Sequence, residues 1–483
     1  MASRDSIRFW FRGELQVIDD FAPTETLLDF LRLRRSACGT KEGCAEGDCG
    51  ACTVTVIRSV AGEVRIEAVN ACIQFLGTLD GCVLLTVEDL EDEHGTLHPV
   101  QSAMIKHHGS QCGFCTPGIV MSLFAQSTSP TQVSRGELED CLAGNLCRCT
   151  GYKPIMEAGL ESCNGASADL SGYFSQVDEI SELDDLFTGN DESFFAAPAN
   201  KETLLDLIAQ HPDATLFSGA TDVGLWHTKL FKKLPKLIYL GKVAELLSIE
   251  DDESELKLGA AVSYERAAQF LGAIDKDIAE LLRRLGSTQV RNAGTIGGNI
   301  ANGSPIGDSP PVLIALGASI ILESKGGRRS VLLEDFFIEY GKQDRRADEV
   351  LTEIIVPKLK ADQRFSCFKL AKRYDQDISS VMAAFCFSLD GAKITEAKLA
   401  YGGMAGTPKR AVNTEAALIG QDVEEALAHV MTLETDFAPL DDHRASAEYR
   451  MVTAQNLLKK ALLELSDIEK QRTRLLPKEA AHV

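Results

Sequence analysis

The sequence predicts a multidomain α+β protein, and three observations carry that reading. Eight cysteines in the first 150 of its 483 residues fall into two sets of four, Cys44, Cys49, Cys52 and Cys72, then Cys112, Cys115, Cys147 and Cys149. Strand-like alternation surrounds the first set, whereas helical apolar patterns surround the second. A longer region mixing both patterns follows, beyond a stretch rich in Ser, Gly, Asp and Glu at 164–193. A chain of this length has room for three or four domains with separate cores.

The first domain is expected at 1–92. It runs without a charged-then-apolar leader into Ile7-Arg8-Phe9-Trp10, which alternates like a strand. Its cysteines read C-x4-C-x2-C with a fourth further along, the spacing of plant-type [2Fe-2S] ferredoxins. Three thiolates must wrap one small inorganic core within nine residues, so the backbone has to turn back on itself. Gly43, Gly47 and Gly50 permit positive φ there and let amide N–H groups approach sulfide. Zinc is the rival for any four-cysteine set, but its ligands usually come as two close pairs, and the three-plus-one spacing argues against it.

The second domain is expected at 93–163. It holds a close pair, Cys112-Gly113-Phe114-Cys115, and a closer one, Cys147-Arg148-Cys149, a spacing that alone would also suit zinc. Context lowers the case for zinc. Thr116 caps and Pro117 starts a helix that Ile119 to Phe124 continue, and Thr150-Gly151-Tyr152-Lys153-Pro154 repeats the design. Two loop-to-helix corners then meet over one metal centre in a small helical bundle, with further helices at about 97–107 and 134–143.

The six other cysteines are Cys38, Cys82, Cys141, Cys163, Cys367 and Cys386, and none is assigned to a site. Cys141 shares helical spacing with Leu138 and Leu142, while Cys82 and Cys386 sit in apolar runs, so these read as core. Abundant cysteine without a secretion signal fits thiolates held by metal in a reducing cytoplasm. The formal net charge of −22 leaves no basic footprint for nucleic acid and no attraction to anionic membrane. No apolar stretch approaches the roughly 18 residues of a membrane span.

Residues 164–193 read as a solvated linker, pinned in part by Leu183, Leu186 and Phe187. The third domain, expected at 194–360, contains Leu216-Phe217-Ser218-Gly219-Ala220-Thr221-Asp222-Val223, an apolar strand ending in a small-residue turn. It also contains, within 286–300, Gln289-Val290-Arg291-Asn292-Ala293-Gly294-Thr295-Ile296-Gly297-Gly298-Asn299. Amides and hydroxyls of such loops can converge on phosphate oxygens, although each alone reads more often as an ordinary turn. Neither fits the Rossmann G-x-G-x-x-G fingerprint and no Walker A string occurs, so a nucleotide here requires another fold. In 361–483, Met451, Ala454, Leu457, Leu458, Ala461, Leu462 and Leu465 recur at helical spacing and read as core.

Three strings, Gly39 to Cys44, Gln111 to Gly118 and Gly144 to Tyr152, together resemble the molybdenum hydroxylases of the xanthine oxidase family. The resemblance implies a plant-type ferredoxin-like (β-grasp) domain and a four-helix-bundle domain, each holding one [2Fe-2S] cluster. It extends to the loops at 216–223 and 295–299 and to Asp308, which are similar to a vanillyl-alcohol-oxidase-type FAD domain. Tyr401 to Ala405 and Thr407 to Ala411 resemble the α+β C-terminal domain that follows it. By this resemblance both loops bind the FAD pyrophosphate and neighbouring groups, and Asp308, Leu351 and Lys369 match further FAD contacts. A lysine near the isoalloxazine would stabilise negative charge on reduced flavin. Without the resemblance, Lys369 reads as a solvated surface lysine. Leu285 departs from the pattern, standing where some members place an aromatic residue against the flavin.

In the family a molybdenum cofactor domain of several hundred residues performs the hydroxylation, and no room for it follows Val483. The resemblance therefore implies the electron-transfer small subunit of a split, bacterial-type, purine-oxidising enzyme, with no catalytic residue on this chain. Its partner would be a large molybdopterin-binding subunit, in a heterotetramer of two small and two large subunits. Electrons would pass from molybdenum to the Cys112 set, the Cys44 set, FAD and finally NAD+, which approaches beside Tyr374-Asp375-Gln376-Asp377. The same relay would serve a relative acting on aldehydes or N-heterocycles. A non-enzymatic redox carrier is a third class, against which the FAD-like half argues.

Overall fold

The computed structural model describes residues 3–92, 94–165, 170–180 and 184–466. N-terminal alternation is realised in Ile7–Phe11, which buries Ile7, Phe9 and Phe11. The strand joins a five-stranded sheet in the order Glu14–Ile18, Ile7–Phe11, Cys82–Leu85, Thr53–Val60, Glu63–Asn70. Only the contact between Ile7–Phe11 and Cys82–Leu85 is parallel. Thr53 pairs with Asn70 at one end of this sheet. That register sets Cys52, which precedes one strand, beside Cys72, which follows the other, and Ala71 N–H donates to the Cys52 carbonyl at 3.3 Å.

Four helices follow, Pro99–Lys106, Thr116–Ser127, Arg135–Leu142 and Lys153–Ser162, around a core that includes Met104, Ile119, Leu123, Leu138 and Ile155. Thr116 is not the cap expected of it. Cys115 occupies the cap position with near-helical φ and ψ, and the Thr116 hydroxyl bonds Ser110 Oγ at 2.7 Å. The chain turns earlier than the threonine, at Gly113, where φ is +84°.

The expected linker at 164–193 is largely structured. Ser171–Ile180 is a helix that packs on the first sheet through Leu170, Val177 and Ile180, all buried. Its composition is polar because only one narrow face meets the protein, and apolar residues at 170, 173, 177 and 180 are enough for that face. Leu186–Asn190 is already a strand, paired with Ser193–Ala197. Leu186 is buried and Phe187 half-buried, while Leu183 lies outside the described residues.

Two sheets build the next region. One has the order Leu186–Asn190, Ser193–Ala197, Lys236–Tyr239, Thr215–Phe217; the other is Ile249–Asp251, Glu255–Gly259, Val350–Pro357, Ser319–Ser324, Gly327–Leu332. Helices Ile296–Asn302 and Ser309–Leu316 pack into the core of the second. A four-stranded antiparallel sheet, Gln363–Leu370, Val381–Asp390, Lys393–Gly402 and Lys409–Arg410, closes the fold under the helix Ala447–Ser466. The helix buries Ala454, Leu458, Ala461 and Leu462, as the stripe predicts; residues 467–483 of the expected last domain lie outside the described residues. No helix among the described residues is long and apolar enough to cross a membrane.

The first sheet and the flavin-loop region share one apolar core, in which Phe75 meets Phe217 with ring centroids 5.4 Å apart and Phe21 meets Phe195 at 5.9 Å. Asp80 clamps the same junction. Its fully buried carboxylate accepts from Arg4 at 2.7 and 3.1 Å, from Arg8 N–H at 2.8 Å, and from Lys242 across the junction. Burial alone would raise its pKa, but Lys242 and then Arg4 outweigh burial and hold it below the ordinary aspartate value of 3.8. Stability from this clamp is therefore complete above about pH 4 and is lost as pH falls through the depressed value. Asp80→Asn leaves two partly buried cations, Arg4 and Lys242, without their counter-charge. It should cost about 3 kcal/mol in reversible denaturation, and the difference from the parent protein should shrink as pH falls below 3.8.

Candidate functional site

The first thiol set lies in a loop that folds back as its glycines predict, with one correction. Gly47 and Gly50 have φ of +77° and +69°, and Ala45 joins them at +55°, but Gly43 does not adopt positive φ. Its role is space, because a Cβ there would stand 2.7 Å from Cys49 Sγ. Cys44 Sγ accepts the N–H groups of Asp48 at 3.4 Å and Cys49 at 3.3 Å. Its thiol neighbours those of Cys49 and Cys72, which together hold it well below the usual thiol range; Cys72 in turn neighbours Cys52. Asn70 braces the loop by donating to the Gly47 carbonyl at 2.9 Å. Cys52 and Cys72 are buried.

In the second set the thiol of Cys112 neighbours that of Cys149, and the thiol of Cys115 that of Cys147. Burial first, and Cys147 next, push the Cys115 thiol up to about 12. Burial opposes ionisation of Cys147 too, yet hydrogen bonds led by Thr150 hold that thiol below its ordinary value. Thr150 Oγ1 lies 3.1 Å from Cys147 Sγ. Tyr152 takes a left-handed φ of 67° just before Lys153–Ser162, and its hydroxyl accepts Cys147 N–H at 2.7 Å. Cys112 and Cys149 are exposed. Among the described residues no three His, Cys, Asp or Glu side chains converge as a ready site for one metal ion, so the sets are defined by these pairwise thiol contacts. Paired thiols with amide and hydroxyl donors suit a two-iron core, where each iron takes two ligands.

The two flavin-type loops meet. Thr215–Phe217 is a strand, Ala220 turns the loop with φ of +56°, and Val223–Thr228 is helical. Thr295 caps Ile296–Asn302, its Oγ1 accepting Gly298 N–H at 3.1 Å. Any Cβ on Gly219 would fall 1.7 Å from the Ala293 carbonyl oxygen, so the loops approach backbone to backbone. Asp222 also bonds Asn302, and its carboxyl pKa is raised chiefly by burial. Such bare backbone fits close approach of a pyrophosphate.

Asp308 and Lys369 belong to the same neighbourhood. Asn299 Oδ1 accepts from Ser309 Oγ at 3.1 Å, next to Asp308 in the chain. The Asp308 carboxylate accepts from Ser379 Oγ at 2.6 Å and forms an ion pair with Lys369. The Lys369 side chain is 3% exposed, which overturns its reading as a solvated lysine. Leu351 stands apart: its side chain is buried in the apolar core that also holds Ile296 and Ile300. Leu285 packs half-buried against that core. Around Tyr374 the polar groups are paired internally, with Tyr374 Oη accepting from Arg283 at 2.7 Å and donating to Glu280 at 2.8 Å. Asp377 accepts Arg373 N–H at 2.8 Å.

Sequence reasoning missed Ser379, and it placed Asn145 and Gln289 in motif strings without foreseeing their contact. Ser379 follows a charged loop and carries no motif, and the other two act only through partners remote in sequence.

Residues 190–359 match the FAD binding domain in molybdopterin dehydrogenase, 366–465 the CO dehydrogenase flavoprotein C-terminal domain, and 86–160 a [2Fe-2S] binding domain. Xanthine dehydrogenase of Drosophila subobscura is 35% identical over 87% of this chain and 36% of its own length. The chain carries the iron-sulfur and FAD region of the xanthine oxidase family. Xanthine dehydrogenase/oxidase of Gallus gallus is 32% identical over 90% of this chain and 38% of its own, so the chain spans little more than a third of the curated relatives it matches. Carbon monoxide dehydrogenase from Hydrogenophaga pseudoflava superposes with a TM-score of 0.51 at 29% identity, covering 56% of this chain and 95% of that one. Quinoline 2-oxidoreductase from Pseudomonas putida 86 does so at 0.51 and 25%, covering 57% and 97%.

Gly219→Val drives a branched side chain into the Ala293 carbonyl. It should abolish co-purification of yellow flavin while iron content per chain stays at the parent level, measured by absorbance and metal analysis. Lys369→Met strands the Asp308 carboxylate and should lower thermal stability by about 3–5 kcal/mol equivalent, whereas Lys369→Arg should recover most of it.

Proposed function

We propose that this chain is the electron-transfer subunit of a xanthine dehydrogenase, holding two [2Fe-2S] clusters on the Cys44 and Cys112 sets and FAD on the loops at 216–223 and 295–299 with Asp308 and Lys369. The observation that carries the proposal is the junction of the two thiol loops with each other and with the flavin-type half. Leu146 N–H donates to the Cys49 carbonyl at 3.0 Å, and Thr228 Oγ1, on the helix after the first flavin-type loop, donates to Ala45 O at 2.8 Å. The units are a β-grasp ferredoxin-like domain at 1–92, a helical-bundle domain at 93–163, a vanillyl-alcohol-oxidase-type FAD domain at 194–360, begun by the strand at 186–190, and an α+β domain from 361.

In this reading the chain holds in line the groups that carry electrons from a partner's molybdenum cofactor to NAD+. Bound FAD supplies the change from single electrons to a pair. Exposed Cys112 and Cys149, flanked by Phe114 and Leu146 at 46% and 48% exposure, present the face on which the large molybdopterin subunit docks. Buried Cys52 and Cys72 face the interior. Gly43 leaves room beside Cys49 Sγ, Gly47 lets the loop close on Ile73, Tyr152 and Thr150 orient Cys147, and Lys369 places positive charge where reduced flavin gathers negative charge. The assembly is proposed as a cytoplasmic heterotetramer of two small and two large subunits.

The xanthine dehydrogenases that align over most of the chain favour purines. Quinoline 2-oxidoreductase among the structural relatives supports a second reading, in which the partner oxidises another N-heterocycle or an aldehyde. Anaerobic purification should give about four irons and one FAD per chain with no molybdenum, and NADH-dependent dye reduction. Co-expression with the large subunit should yield hypoxanthine and xanthine oxidation. A colourless, zinc-loaded product overturns the proposal, and activity confined to aldehydes or quinoline-like substrates selects the second reading.

A further inference from the structure

Where the two thiol loops touch, one buried amide meets three segments of the chain. Asn145 is 1% exposed and immediately precedes Leu146-Cys147. Its Oδ1 accepts from Ser122 Oγ at 2.7 Å and from Gln289 Nε2 at 3.0 Å. Its Nδ2 donates to the Gly50 carbonyl at 3.2 Å and to Thr53 Oγ1 at 3.3 Å. Every donor and acceptor position of the amide is used, which is the condition for a buried polar network to define one arrangement. The partners come from the first thiol loop, from the helix after the second loop's Cys115, and from Gln289 in the flavin half.

Backbone packing at the same point has no slack. A Cβ on Gly50 would lie 2.0 Å from Gly144 O, one on Gly118 2.1 Å from Gly50 O, and one on Gly144 2.2 Å from Gln289 Oε1. Gln289 is itself 1% exposed, and its Nε2 also reaches Ser122 Oγ at 3.0 Å and Thr53 Oγ1 at 3.3 Å. Its Oε1 has no hydrogen-bond partner although buried. An orphan acceptor is unfavourable, and its retention here points to a position held by Nε2, whose two hydrogens are shared among Asn145, Ser122 and Thr53.

We infer that Asn145 and Gln289 are positioning residues that fix the distance and orientation between the two four-thiolate centres, touching neither set of sulfurs themselves. The inference rests on the two-cluster reading and adds to it the residues that set the mutual geometry. The Leu146 N–H to Cys49 O bond is the direct link they hold, because it joins the neighbour of one thiol-bearing residue to the backbone of another.

The test uses the full chain with its iron, reduced by dithionite and observed by electron paramagnetic resonance at low temperature, where two nearby paramagnets split each other's signals. Asn145→Asp keeps shape but replaces the two donors by acceptors, and Gln289→Met removes only the flavin-half leg. The expected result is iron content and individual cluster g-values at parent level in both variants. The mutual splitting is changed or lost in Asn145→Asp and shifted less in Gln289→Met. Unchanged splitting in both variants overturns the inference, as does loss of iron from both, which makes these residues merely structural. If the parent chain itself shows no pair of [2Fe-2S] signals, it is the two-cluster reading that fails.

Discussion

Three glycines, Gly50, Gly118 and Gly144, close one junction, the first two by bringing backbone against backbone and Gly144 by admitting the side chains of Gln289 and Ser287, and the rest of the architecture is arranged around that contact. Each comes from a different element: the first thiol loop, the helix after Cys115, and the approach to Cys147. A side chain at Gly50 or Gly118 would push the thiol loops apart by the width of a methyl group, and one at Gly144 would displace Gln289 and Ser287. The sheet and the bundle could each fold around their own apolar cores, yet their thiol loops would no longer share hydrogen bonds. Glycine's conformational cost in the unfolded chain is offset here by an interface that only bare backbone can form.

The flavin-type half is fastened to the same body by two unlike means. The apolar core running from Phe9 and Phe75 through Phe195 and Phe217 to Tyr239 is continuous across the junction, so separating the units would expose aromatic surface on both. The buried carboxylate of Asp80 adds direction, since Arg4, Arg8 and Lys242 meet it in one arrangement only. Burial of charge is a poor source of net stability but a good source of register. Apolar contact therefore supplies most of the adhesion, and Asp80 selects how the surfaces meet.

Much of this was legible in the sequence where spacing is the physical constraint. Cysteine spacing led to the two thiol loops, and period-3.6 stripes led to the helix Ala447–Ser466. Legibility failed where a residue's meaning depends on what packs against it. Lys369 lies on a strand whose pattern is mixed, and only the fold brings Asp308 and Ser379 to it. The helix Ser171–Ile180 was hidden because a polar composition suits both a linker and a helix with one narrow buried face. Thr116 resembles a cap by residue type, but Gly113 had already turned the chain. Asn145 and Gln289 lie 144 positions apart and declare nothing until their amides meet.

The two thiol sets, alike in number, sit in unlike surroundings, and this difference bears on the proposed direction of electron flow. Cys52 and Cys72 are enclosed by the sheet end, while Cys112 and Cys149 are open on the outer face. Enclosure favours a centre insulated from adventitious oxidants, whereas an open edge is needed by a centre that must exchange electrons with another polypeptide. Cluster potential responds to solvent access and to hydrogen bonds at sulfur, and both differ here: Cys44 receives backbone N–H groups, while Cys147 is served by Thr150 and, through its amide, by Tyr152. One chain can thus hold two centres of the same composition at different potentials. The exposed set would be the entry point, and the enclosed set, against the helix that follows the first flavin-type loop, the step before flavin.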